Sequence, residues 1–517
     1  MSTLETLEKW TQAWPQAERE ELGREFGIGW TALRYQGSGS MEGLEFLYPF
    51  LNDSNVSVKR RALDAVATIF SGTGVDGLEK LSYVSENRDL FVRDRAVSVI
   101  GSALKGEPVD VILDILRPSL THRNNFIRGQ ATDALGRAGE GEGWKDLLPI
   151  FAERLTDPDD FVASSAVEGL GFAFSGIGDP DAIALLEPLP SFPTVPKVEG
   201  EARRSWHFRW RLHQARHDEA AMAIARIGSG SGEEANAIAL MLRYLHPEVP
   251  QEMGFEGQLI QRKGGWAAAW LLEGRPTQAL DAMRFLLERP GAGEPRQTRQ
   301  IPRSAAIWSL PTTFRASGRE GIEAAGSLLD EDGHASIRTG MLSLGIAARG
   351  SCDDDVRAAL APYLTDGNGA LRDVANIALG FAFQGSGDGD VYKLLRTTNL
   401  EESRGASTNY PLSVGLLFQG TGDGPASHHL RDLVQTERRR LRRHIALGIG
   451  LVHQGTSSPS AVEEMLPLLE GNELDAGSEA LLLVDFDSEA LAVEFHADSL
   501  ADGPGAAGMF VREHLCR

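Results

Sequence analysis

An all-α fold, an α-solenoid of about twelve helix-turn-helix repeats, is what three features of the 517-residue sequence predict. An apolar phrase recurs: GLGFAFSGIGD (Gly169 to Asp179), ALGFAFQGSGD (Ala378 to Asp388), SVGLLFQGTGD (Ser413 to Asp423) and GIGLVHQGTSS (Gly448 to Ser458). The glycine ending each phrase recurs at Gly37, Gly72, Gly106, Gly141 and Gly176, and again at Gly350, Gly385, Gly420 and Gly455, a period of about 35 residues typical of stacked helix pairs. Every periodic segment has helical spacing, and one pair of helices cannot bury its own apolar face, so the pairs must stack.

In chain order, residues 1–21 read as an N-terminal capping helix and 22–190 as regular repeats. Irregular repeats with insertions occupy 191–320, regular repeats resume over 321–470, and 471–517 reads as a C-terminal cap. Ala370 to Thr398 shows how one repeat is built. Val374 to Phe383 is apolar on nearly every side, interrupted only by Asn376, which marks a buried inner helix. Gly385 sits where a left-handed C-terminal residue is needed, and Asp388 is placed to cap the next helix. That outer helix, roughly 390–397, carries a one-sided stripe of Val391, Leu394 and Leu395.

Gly171, Gly345, Gly380, Gly415 and Gly448 fall inside inner helices, where each costs about 0.5 to 1 kcal/mol relative to alanine. A shared compensation is required, and close approach of neighbouring inner helices supplies it. A phosphate-binding loop is excluded at these glycines, because no strand precedes them and no Gly-Lys-Ser/Thr follows. Between Gly176 and Gly350 the period breaks, with candidate turn glycines at Gly228, Gly274 and Gly318.

Before each inner helix lies an Asp/Asn turn followed by Val-Arg or its like, as in Asn124-Asn125 then Ile127-Arg128, Asp157 to Asp160 then Val162, and Asp366 to Asn368 then Leu371-Arg372. This element resembles the HEAT repeat. The phrase ending in Gly-Ser/Thr-Gly is similar to the proteasome/cyclosome repeat of the large proteasome regulatory-particle scaffold subunits. The resemblance implies a strongly curved solenoid or a closed toroid, and a scaffold or adaptor that binds another protein. A proteasome-associated or ubiquitin-like-protein-binding ring is the narrower form of that expectation.

The net charge of −22 opposes general binding to a phosphate backbone. Only eight of the 51 basic residues are Lys, a bias that suits a salt-loving, haloarchaeal source or a GC-rich genome equally. Cys352 and Cys516 are the only thiols, too few for a disulfide framework or a cysteine metal site. No apolar run approaches the roughly 18 residues of a membrane span, and the first residues lack the basic start and apolar core of a signal peptide, so a cytoplasmic location is expected.

Two basic stretches are the candidate docking sites. Arg203, Arg204, Arg209 and Arg211 interleave with Trp206 and Trp210 after a proline-rich insert, a composition that suits an acidic protein partner or, equally, a long inner helix anchored by its tryptophans. Arg438, Arg439, Arg440, Arg442 and Arg443 lead into an inner helix expected to start at Ile445, as a solvated loop or a docking patch. His217-Asp218-Glu219 is similar to one of the His-Glu pairs of the HEAT-type di-iron hydroxylases, but no second pair follows, and His428-His429 is expected in an exposed turn. A bilin-lyase-like enzyme is a further alternative. No cofactor and no catalytic constellation is expected, because residues distant along a solenoid do not converge.

Overall fold

The computed structural model describes residues 27–85, 87, 89–187, 220–231, 237–239, 265, 267–284, 287, 306–307, 309–331, 333–399, 407–436, 442–456 and 459–465. All regular structure among them is helical. They belong to two compact units, one of Thr31–Leu272 and one of the described residues from Glu273 onward together with 27–30. Each is a stack of helix pairs.

In the first unit the helices are α1 (Met41–Leu51), α2 (Val56–Phe70), α3 (Val75–Ser85), α4 (Leu90–Ala103), α5 (Val109–Leu120), α6 (Asn125–Ala138), α7 (Leu148–Leu155), α8 (Asp160–Ala173) and α9 (Pro180–Leu186). A further inner helix covers 220–228. The second unit holds α10 (Pro276–Met283), α11 (Gly318–Leu329), α12 (His334–Ala347), α13 (Asp354–Leu360), α14 (Gly369–Ala382), α15 (Gly389–Asn399), α16 (Tyr410–Leu417), α17 (Gly424–Thr436), α18 (Arg442–Val452) and α19 (Pro459–Met465). The inner helices α2, α4, α6 and α8 pack on one another in succession, as do α12, α14, α16 and α18.

The unit read from sequence is found as expected. In α14 every residue from Val374 to Ala382 is buried, whereas α15 buries only Val391, Leu395 and Asn399. Asp388 Oδ1 accepts from the amides of Asp390 and Val391 at 2.9 Å. The Asp/Asn turns provide inner-helix caps: Asn55, Asp89, Asn124, Asp159 and Asn368 each accept a first-turn amide with the side chain.

The turn glycines do more than end a helix. Gly385, at φ +69°, and Gly387, at φ +61°, turn their amides onto the carbonyls of Leu416 and Leu417 in the next unit, both at 2.9 Å. The same pair of bonds joins Gly37 and Gly39 to Thr68 and Ile69, Gly141 and Gly143 to Phe172 and Ala173, and Gly420 and Gly422 to Leu451 and Val452. Carbonyls left open at one helix end are thereby satisfied by the preceding repeat. Cys352 stands at one of these second-glycine positions, at φ +56°, and its amide still reaches Ala382 O at 3.2 Å. A non-glycine residue there carries strain of about 1 kcal/mol or more. Cys352→Gly is expected to raise the melting temperature, measured by thermal unfolding.

Three expectations need correction. Gly228 is not a turn: it closes the 220–228 helix, where an added Cβ would lie 2.5 Å from Ala237 Cβ, and the left-handed residue is Gly230 at φ +72°. His428 and His429 lie within α17 rather than in a turn, because Asp423 caps that helix through the Ala426 amide at 2.7 Å and Pro425 fits its first turn. The inner helix after the arginine run already includes Arg442, three residues before Ile445.

Candidate partner-binding surface

The insert residues Arg203, Arg204, Trp206, Arg209, Trp210 and Arg211 lie outside the described residues, as do Arg438, Arg439, Arg440 and the His217–Glu219 pair. Arg442 and Arg443 belong to the first turn of α18, and the Arg442 side chain is partly buried. The structure therefore describes neither of these patches as a whole.

It assembles a different one. Four and eight residues before the turn glycine, an inner helix presents two positions on one side. In the second unit these are apolar and buried: Leu342 and Ile346, Ile377 and Phe381, Leu412 and Leu416, Leu447 and Leu451. In the first unit the same register reads Asp64 and Thr68, Ser98 and Ser102, Asp133 and Arg137, Glu168 and Phe172, then Met222 and Arg226.

The contacts run across four successive inner helices. Ser98 Oγ is 3.3 Å from Asp133 Oδ2, which also accepts from Arg137 Nε at 2.9 Å. Arg137 Nη2 reaches Glu168 Oε1 on α8 at 3.4 Å. The partly exposed ring of Phe172 is held between two guanidinium groups, with Arg137 Cζ 4.5 Å and Arg226 Cζ 4.2 Å from its centroid. Each such contact contributes about 0.5 to 2 kcal/mol, more where water is excluded.

Desolvation acts on two charged groups beside this band. Asp64 is exposed, yet desolvation pushes its carboxyl above the usual carboxylate range despite the opposing pull of Arg95, Arg137 and Arg60. A group that touches water and is still desolvated has protein crowding around it. Desolvation, with the charge of Arg60, likewise lowers the Arg95 guanidinium. Asp133 is 8% exposed, and its buried Oδ1 has no hydrogen-bond partner among the described residues.

Among the described residues no three His, Cys, Asp or Glu side chains are grouped to hold a metal ion, and no helix is long and apolar enough to cross a membrane. No protein-family model matches the chain, and no curated protein matches it in sequence. Among solved structures it is similar to Kap121p, at 12% identity and a TM-score of 0.32 over 98% of this chain and 58% of that one. It is similar also to Kap121p bound to Ste12p, at 12% identity and a TM-score of 0.32 over 93% of this chain and 53% of that one. The chain thus spans between half and three-fifths of their length. Its class, an all-α helical-repeat protein, rests on its own helices.

Proposed function

We propose that the protein is a non-enzymatic, cytoplasmic scaffold that binds another protein through the inner-helix band of its first unit. The observation that carries this is Phe172 beside both Arg137 and Arg226: aromatic and Arg side chains are those in which binding energy concentrates, and here they share one band with a carboxylate oxygen that has no hydrogen-bond partner among the described residues. Arg137 and Arg226 in the band, with Arg60 and Arg95 beside Asp64, stand against Asp64, Asp133 and Glu168, a slightly positive balance in a chain of net charge −22 that favours a partner surface carrying carboxylates. The cytoplasmic placement draws on the scarcity of cysteine. The narrower kinship with proteasome/cyclosome repeats, and the ring it would imply, draw on the recurring phrase alone.

The test places a photo-crosslinking residue at Phe172 and, as a control, at exposed Glu45 of α1, in extracts of the native source. One protein should crosslink at 172 and not at 45, and Arg137→Glu with Arg226→Glu should abolish it, since a hot spot contributes about 2 kcal/mol or more. Equal labelling at both positions, or labelling that survives the charge reversal, would overturn the reading.

A further inference from the structure

A second surface, independent of the inner-helix band, lies in the second unit along the residues that immediately precede the turn glycines. There the side chains run Arg349, Gln384, Gln419 and Gln454, one from each successive repeat, and they are hydrogen-bonded in a single direction. Arg349 Nε donates to Gln384 Oε1, Gln384 Nε2 to Gln419 Oε1, and Gln419 Nε2 to Gln454 Oε1. These four residues, with Arg315 and the glycines of the turns, line a cavity of about 630 Å³. That volume lies within the roughly 300 to 1,000 Å³ of ligand-binding clefts.

Stacking alone does not require glutamine at this register. In the first unit the same positions are Gln36, Ser71, Lys105, Glu140, Ser175 and Ser229, and the backbone bonds between repeats form there too. Lys105 and Glu140 simply pair with each other at 2.8 Å. What a run of glutamines adds is chemistry. A primary amide has two N–H donors and a carbonyl oxygen with two lone pairs. Within the chain of bonds Gln384 and Gln419 each use one donor and one lone pair, so each keeps one donor and one acceptor, the complement of a single peptide group.

The spacing also fits an extended backbone. Packed helices stand about 8 to 10 Å apart, and an extended chain advances about 3.3 Å per residue, so one repeat matches two to three residues. Gly350, Gly385 and Gly420 beside this row present bare backbone to the cavity. The end of the row is cationic: Arg349 joins it directly, and Arg315 lines the same cavity. Glu273 Oε1 already lies 3.5 Å from Arg315 Nη1, showing that a carboxylate can be seated there.

We infer that this groove binds an extended, acidic peptide segment of a partner protein, its backbone held by Gln384 and Gln419 and a carboxylate by Arg315 and Arg349. The probe is a fluorescein-labelled peptide of alternating Glu and Ser, followed by fluorescence anisotropy on the full-length chain, with an alternating Lys and Ser peptide for comparison. The acidic peptide should bind saturably and the basic one should not. Gln384→Ala with Gln419→Ala should weaken binding by about tenfold or more. Arg349→Gln should weaken it and flatten its salt dependence. Thermal unfolding of each variant separates lost contacts from a lost fold, and the charge-reversed Arg137→Glu/Arg226→Glu protein should bind the probe as the unmodified protein does. Absence of saturable binding to a folded chain, or binding indifferent to both glutamines, would overturn the inference.

Discussion

Gly136→Ala should lower the melting temperature sharply, although alanine is the better helix former by about 1 kcal/mol. Gly136 lies within α6, and a Cβ there would sit 2.2 Å from Gly169 Cα and 2.3 Å from Gly169 O on α8. Both are backbone atoms and cannot swing aside, so the helices must part. Overpacking of this kind costs about 1 to 3 kcal/mol, and occasionally more, enough to overwhelm the propensity gain. Gly415, which meets Gly448 Cα at 2.7 Å, and Gly345, which meets Ala378 O at 2.5 Å, should behave alike. Gly326 provides the opposite case, since it lies in α11 with nothing within 4 Å of an added Cβ. Gly326→Ala should stabilise by about 0.4 to 1 kcal/mol through the unfolded chain alone. Equal, small changes in denaturant midpoint for Gly136 and Gly326 would sink the close-packing account.

Arg128→Met should destabilise by about 3 to 5 kcal/mol, because it strands a buried carboxylate. The Arg128 side chain, 16% exposed, donates from Nε and Nη2 to both oxygens of Asp157, 5% exposed, at 3.2 and 3.1 Å. It also closes the turn before its own helix, with Nη1 bonded to the carbonyls of His122 and Arg123. Without it Asp157 keeps the Asp159 amide at 3.0 Å and a distant contact with Arg154 at 3.7 Å, and no close cation. The exposed pair Arg319 and Glu323 is the control, and Arg319→Met should change stability by about 0.5 kcal/mol or less. Adding Asp157→Asn to Arg128→Met should recover part of the loss, since the amide removes the buried charge. Burial pushes the Asp157 carboxyl up, but the Arg128 hydrogen bonds, the Asp159 amide and the charges of Arg128 and Arg154 hold it below the usual range. Its contribution is therefore present above the ordinary carboxylate value of about 4 and disappears as pH falls through the lowered one. The gap between the parent chain and Arg128→Met should narrow in the same acid range when unfolding is followed against pH.

Much of this architecture is visible in the sequence because its period is long and its punctuation is local. Gly385 and Asp388 announce a left-handed turn and a cap within four residues of each other, and both perform those roles. The bonds from Gly385 and Gly387 to Leu416 and Leu417 are not visible, since a glycine shows that an amide is turned and not which carbonyl receives it. The charged band was legible only by setting the two halves side by side. In Ala370 to Thr398 the relevant positions are Ile377 and Phe381, which read as core, whereas Asp133, Arg137 and Glu168 occupy the same register in the first unit. The glutamine row was written in the recurring phrase itself, as the residue before each glycine. Its meaning depended on four side chains meeting across four repeats.

The bonds between turns also bear on how such a chain can grow longer without coming apart. Gly141 reaches a carbonyl only 31 positions ahead, at Phe172, yet Gly176 and Gly178 make the same pair of contacts to Arg226 and Ile227, the first of them 50 positions away, at 2.8 and 2.7 Å. The joint is indifferent to how much chain lies between its two halves, and each doubling of a flexible connection adds only about 0.6 kcal/mol of closure entropy. New sequence can therefore enter between two joints as a cassette, with the seam between repeats already sewn by backbone atoms that no substitution other than proline removes.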